Sequence, residues 1–136
     1  MKKCIMFGLL FVITISFAGQ LSVNFQARSN KGEVYVSVHS NVATFPMKAE
    51  EVSIKAYVLA SENVVIIKDI PNGEYAVAIY HDENSNGKLD TGWFGIPAEG
   101  VGASNNKASF GPPSYKDALF KIDSEEKRII IDIKYL

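Results

Sequence analysis

Asp82, Asn84, Asn86 and Asp90, together with Gly87 and the backbone carbonyl of Lys88, form the pattern D-x-N-x-N-G-x-x-D. Calcium takes about six to eight hard oxygen ligands, and alternate side chains along a tight loop can aim theirs at one centre. Glycine permits the sharp turn, and the carbonyl after it points inward. In this reading Asp82 and Asp90 supply charge, Asn84 and Asn86 supply amide oxygens, and Lys88 supplies its carbonyl. The pattern departs from an EF-hand, because the position that should hold the bidentate acid is Trp93 and the flanking segments read as strands. The missing ligand must come from elsewhere in the chain or from water. Glu99 and Asp117 are the acidic side chains placed to supply it. The competing reading is a purely structural loop, since Asp and Asn also cap their own backbone in ordinary turns.

Other reactive groups are few. His39 falls on the solvent face of its strand. His81 shares a face with Val77 and Ile79; it is either a neighbour of the metal, an acid/base group, or a strand-ending residue with an internal hydrogen bond. With Cys4 the sole cysteine and only two histidines, a zinc site is not expected. An envelope hydrolase using His81 and the loop carboxylates is the alternative function, with Asp82, Asp90, Glu99 and Ser104 as its polar groups. Nothing in their spacing assigns a catalytic residue. Gly92, Gly95, Gly100, Gly102 and Gly111 lack phosphate-loop order. Trp93 and Phe94, just after the oxygen-rich loop, are the natural recognition surface for an envelope or extracellular ligand.

The elements that must position this loop are strands. Leu21, Val23, Phe25 and Ala27 alternate with polar residues, and Val34, Val36 and Val38 resume the period after a turn over residues 29–32. These two runs read as a hairpin. Val52 to Val58 continues the theme, Val64 to Ile67 is a short run apolar on both faces, and Glu74 to His81, apolar on both faces as suits a central strand, follows a turn at Pro71, Asn72 and Gly73. Leu119 to Ile122 and Arg128 to Tyr135 complete the set around the charged turn 123–127. The expectation is an all-β, antiparallel immunoglobulin-like or prealbumin-like sandwich of about seven strands. Tyr75, just past the Pro-Asn-Gly corner, sits either as a tyrosine-corner residue or as an ordinary packed tyrosine. Residues 82–118 form one long ordered loop rich in apolar groups, including Phe110, with capping spacing at Ser114 and Asp117.

Lys2 and Lys3 precede an almost purely apolar run from Cys4 to Phe17, too short to span a bilayer and ending in small residues. Residues 1–18 thus read as a cleavable signal peptide, and residues 19–136 as one exported domain, periplasmic or secreted. No membrane span remains after signal removal. The chain has 14 basic and 15 acidic residues without a basic cluster, which argues against nucleic acid.

The stretches Pro71-Asn72-Gly73-Glu74-Tyr75-Ala76-Val77, His81 to Asp90, Gly95-Ile96-Pro97, Ser104-Asn105-Asn106 and Gly111-Pro112-Pro113 together resemble the bacterial family known as domain of unknown function 2141. The resemblance covers residues 19–136. It implies a small exported protein in which the Asp82 loop, the Gly-Ile-Pro turn and the Ser-Asn-Asn segment form one signature surface, and it implies no reaction.

Overall fold

Each of the seven expected runs contains a strand in the computed structural model, which describes residues 8–13, 18–107, 111–123 and 125–136, although the last ends at Ile131 and not at Tyr135. Most of the apolar N-terminal segment, including Cys4, lies outside the described residues, as do Phe110 and Ser124. Among the described residues the chain is all-β, with eight strands in two sheets, one short α-helix and a few single 3-10 turns. The strands are β1 (Ala18–Phe25), β2 (Glu33–His39), β3 (Ile54–Leu59), β4 (Val64–Pro71), β5 (Gly73–Asp82), β6 (Gly100–Ala103), β7 (Phe120–Ile122) and β8 (Glu126–Ile131). Their order is β4-β1-β8 in one sheet and β3-β2-β5-β6 in the other, with β7 on the first residues of β5. The eighth strand, β6, lies inside the segment that the sequence reads as one loop. At four residues it is too short, and too rich in glycine, to show a period.

Leu21, Val23 and Phe25 of β1 meet Val34, Val36 and Val38 of β2, with Val65, Ile70, Val77, Ile79, Ile122 and Ile131 completing the core. β1 and β2 are not a hairpin, contrary to the sequence expectation. They lie in different sheets, and β2 pairs instead with β3, from Glu33↔Leu59 to Val38↔Ile54, and with β5. Alternation dictates which face is buried, and two apolar faces are satisfied as well across a core as side by side. A second difference concerns direction: β1 and β8 pair in parallel, from Gln20↔Glu126 to Phe25↔Ile131. The connection between them is nearly the whole domain, so no tight turn constrains them to run antiparallel.

Pro71, Asn72 and Gly73 carry the chain from one sheet to the other, since β4 belongs to the first and β5 to the second. The Tyr75 hydroxyl donates to the Pro71 carbonyl at 2.7 Å, tying that corner. The helix α1 (Tyr115–Ala118) is one turn, capped by the Ser114 hydroxyl accepting from the Asp117 N–H, as the spacing predicts.

His39 is buried and does not face solvent. Residues after β2 fold back over it: its Nδ1 lies 2.9 Å from Thr44 Oγ1 and its Nε2 2.8 Å from Ser37 Oγ, and the Phe45 ring packs edge-on at 5.3 Å. Thr44 gives its own proton to the Asn41 carbonyl, which makes His39 Nδ1 the donor to Thr44, while the Ser37 hydroxyl lies between His39 Nε2 and the Ala78 carbonyl at 3.3 Å. Burial pushes the His39 pKa down. The unfolded chain then binds a proton that the folded chain resists, so stability falls as pH drops below about 6.5. Urea midpoints measured from pH 7 to pH 5 are expected to show this slope, and His39→Gln is expected to flatten it.

Candidate metal centre

β5 is the central strand of its sheet, and it ends on a buried carboxylate. Asp82 is fully buried, with Oδ1 accepting from the Asn86 N–H at 3.2 Å and Oδ2 from the Gly87 N–H at 2.7 Å. Left-handed backbone at Ser85 and Gly87, with φ of 56° and 76°, turns the chain back so that these amides reach it. A carboxylate has about four lone-pair sites, so Asp82 keeps acceptor capacity beyond these two bonds.

Asn84 Nδ2 donates to Asp90 Oδ2 at 2.7 Å, and Asn86 Nδ2 lies 2.8 Å from both Asp90 oxygens. These amides, Asn84 first, hold the Asp90 carboxyl below its usual range. The amide oxygens face the backbone: Asn86 Oδ1 accepts from the Lys88 N–H and Asn84 Oδ1 from the Asn86 N–H. The Asp90 N–H in turn donates to Glu99 Oε2 at 3.1 Å.

Glu99 is the residue that makes this more than a turn. It is only 6 % exposed, and its Oε1 is buried with no hydrogen-bond partner. Burial raises its pKa, and the negative charges of Asp82 and Asp90 raise it further. Tyr80, whose hydroxyl donates to the Gly87 carbonyl at 3.3 Å, is pushed up to about 12 by burial, with Tyr35, Asp82 and Glu99 adding to the shift. Three carboxylates therefore share one end of the sheet.

The structure thus gathers Asp82, Asn84, Asn86 and Asp90 and adds Glu99, while Lys88 enters through its backbone. Asp117 lies elsewhere, paired with Lys107 at 3.4 Å. Among the described residues no three or more His, Cys, Asp or Glu are grouped so as to hold a metal ion by themselves. The donors do suit a hard cation, all being oxygens, but closing on one would require the two amides to turn their oxygens inward.

The signature surface implied by the family resemblance divides. Glu99 precedes β6 and Ser104 follows it, so the Asp82 loop and the Ser-Asn-Asn segment occupy opposite ends of that strand. Each residue of the latter binds backbone. Ser104 Oγ accepts from the Val77 N–H at 3.0 Å and donates to the Ala118 carbonyl. Asn105 donates to the Asp117 and Leu119 carbonyls, and Asn106 bonds both the Ile130 carbonyl and the Asp132 N–H beside β8.

His81 is buried, with Nε2 2.6 Å from the Lys31 carbonyl and Nδ1 2.8 Å from the Tyr135 hydroxyl. A carbonyl only accepts, so Nε2 carries the proton and Nδ1 accepts from Tyr135. Arg28 stacks over the Tyr135 ring at 4.3 Å and pairs with Glu83 at 2.6 Å. This group ties the C-terminal residues to the start of the Asp82 loop. No sequence spacing announces it, because its members are 28, 81, 83 and 135.

Fold and loop together define a small two-sheet β protein with an oxygen-lined loop at one end of its central strand. The chain belongs to the family described as uncharacterized protein conserved in bacteria (DUF2141), which matches residues 24–130. No curated protein and no solved structure matches it. Among the described residues no helix is long and apolar enough to cross a membrane.

Asp82→Ala leaves the Gly87 N–H without its acceptor and the Asn86 N–H with Asn84 Oδ1 alone. Urea unfolding in chelator is expected to show a loss of about 1–3 kcal/mol, whereas Asp90→Ala, on the exposed side of the loop, costs less.

Proposed function

We propose that this chain is an exported, non-enzymatic binding or structural module, periplasmic or secreted, whose 82–90 loop takes up calcium. The protein ligands are Asp82, Asn84, Asn86, the Lys88 carbonyl and Asp90, with Glu99 as the acid that the sequence pattern lacks. The observation that carries this reading is the unpartnered Glu99 Oε1, buried beside Asp82 and Asp90. A carboxylate oxygen buried without a donor costs stability unless a cation or a proton meets it. An immunoglobulin-like or prealbumin-like sandwich is the fold reading we favour, supported by the two sheets and by the Tyr75 bond across the corner where the chain changes sheet. The lysine-led apolar N-terminus supports export. The hydrolase alternative gains nothing from the geometry, since both nitrogens of His81 are engaged internally.

Calcium binding to the folded state alone raises stability by ligand linkage, about 2.7 kcal/mol at a hundredfold excess over Kd. Thermal melts in millimolar calcium and in chelator are expected to differ, and an unchanged midpoint would overturn the reading. The shift should vanish in Asp82→Asn with Asp90→Asn.

Glu99→Gln gives a sharper test, because it removes a buried charge and a ligand together. The variant is expected to melt no lower than the parent in chelator, and to lose most of the calcium increment. A metal-free destabilisation with an intact calcium response would show Glu99 to be an ordinary backbone acceptor.

A further inference from the structure

Residues 90–98 form a narrow two-stranded projection. The Ala98 N–H donates to the Asp90 carbonyl at 2.9 Å, Thr91 and Pro97 form an antiparallel bridge, and the Gly92 N–H donates to the Ile96 carbonyl at 2.8 Å. The tip is Trp93-Phe94-Gly95, with left-handed backbone at Phe94 and Gly95. Trp93 is 87 % and Phe94 96 % exposed, and Ile96 is more than half exposed. A positive φ is uncommon for a bulky residue such as Phe94. Two aromatic rings therefore stand outside a core that closes without them.

The feet of this projection are the acids of the candidate metal centre. Asp90 opens it, Glu99 follows it, and the Asp90 N–H to Glu99 bond joins the two. A cation bound by Asp82, Asp90 and Glu99 would clamp both strands of the projection at its base.

The shape and charge of the tip select its partner. Two aromatic side chains bury about 150–250 Å² each, whereas a specific protein interface buries about 800 Å² on each side. A convex tip of that size suits a medium that closes around it. The headgroup zone of a bilayer is such a medium, and tryptophan settles there. The acidic base would be repelled by anionic headgroups, and calcium offsets most of that charge while offering its remaining coordination positions to phosphate oxygens. We propose that the 90–99 projection is a calcium-dependent docking element for phospholipid surfaces, with Trp93 and Phe94 entering the interface and the ion of the 82–90 loop shared with lipid phosphate. This inference rests on the calcium reading above.

Trp93 is the sole tryptophan of the chain, so its emission reports on the tip alone. The purified protein is mixed with phosphatidylethanolamine/phosphatidylglycerol vesicles, with phosphatidylcholine vesicles, or with inorganic phosphate, each in calcium and in chelator. The expected result is a blue shift and co-sedimentation with the anionic vesicles in calcium, reversed by chelator and absent with inorganic phosphate. Phe94→Ser, at a position 96 % exposed, should weaken partitioning about tenfold. A calcium-raised melting point with no blue shift would overturn docking and leave the calcium site standing. No melting response and no blue shift would mean that the calcium reading had failed first. Co-sedimentation undiminished in Trp93→Ser with Phe94→Ser would assign membrane affinity to another part of the chain, such as the apolar N-terminus, and overturn the proposal. So would a blue shift that grows with protein concentration without lipid, the mark of self-association, or vesicle binding that ignores chelator.

Discussion

Placing an acid at the buried end of a central strand forces the chain that follows to answer it. β5 has β2, β6 and β7 as neighbours, and its last residue, Asp82, is wholly removed from solvent. An isolated buried carboxylate is among the least tolerable groups in a protein, and charge-assisted bonds from backbone amides are an effective remedy. The loop supplies two of them within five residues, which requires left-handed backbone on the way. The backbone of Asp82 constrains a second segment as well: Gly32 has a φ of +67°, and a Cβ there would overlap the Asp82 main-chain carbonyl.

β6 transmits that local order to the rest of the domain. It is short, but it carries Glu99 at one end and the backbone-bonding residues Ser104, Asn105 and Asn106 at the other. The C-terminal residues cross it, with Lys134 bridged to Val101 and the Ile133 and Tyr135 side chains filling the space beside Gly100, where a Cβ would overlap both. Tyr135 then meets His81, and Arg28 meets both Tyr135 and Glu83. The Asp82 loop is therefore braced from β1's exit, from the C-terminus and from β6.

Strand existence was legible in the sequence because burial of one face leaves a period of two, as in Leu21, Val23 and Phe25. Strand partnership was not, because the same alternation is satisfied by any apolar surface opposite. That is why β1 and β2 read as a hairpin although they face each other across the core. His39 shows a related limit. Its place in the alternation is outward, but Thr44 and Phe45 from the segment after β2 pack on it, and nothing in the period of β2 announces them. The oxygen-rich loop was legible as a D-x-N-x-N-G cluster, since its members are local. Glu99 could be singled out only as an acid in the right segment, and its burial beside Asp82 depends on β6, which has no period to read. The group formed by Arg28, His81, Glu83 and Tyr135 depends wholly on topology.

The choice of Asn rather than Asp at 84 and 86 follows from the need for the loop to hold together without a cation. An amide presents donors on one side and an acceptor on the other, so it can bond Asp90 through nitrogen and the backbone through oxygen, as it does here. A carboxylate at either position would add repulsion to a site already crowded by Asp82, Asp90 and Glu99. Under the calcium reading, the same amides turn their oxygens inward when the ion arrives and give up these bonds. The ion's gain is then reduced by the bonds it replaces, which holds affinity in the weak range, about 10⁻⁴ to 10⁻³ M, typical of extracellular calcium modules. Such a site fills only where calcium is abundant. The lysine-led apolar N-terminus and the neutral ligands at 84 and 86 are consistent with one and the same setting.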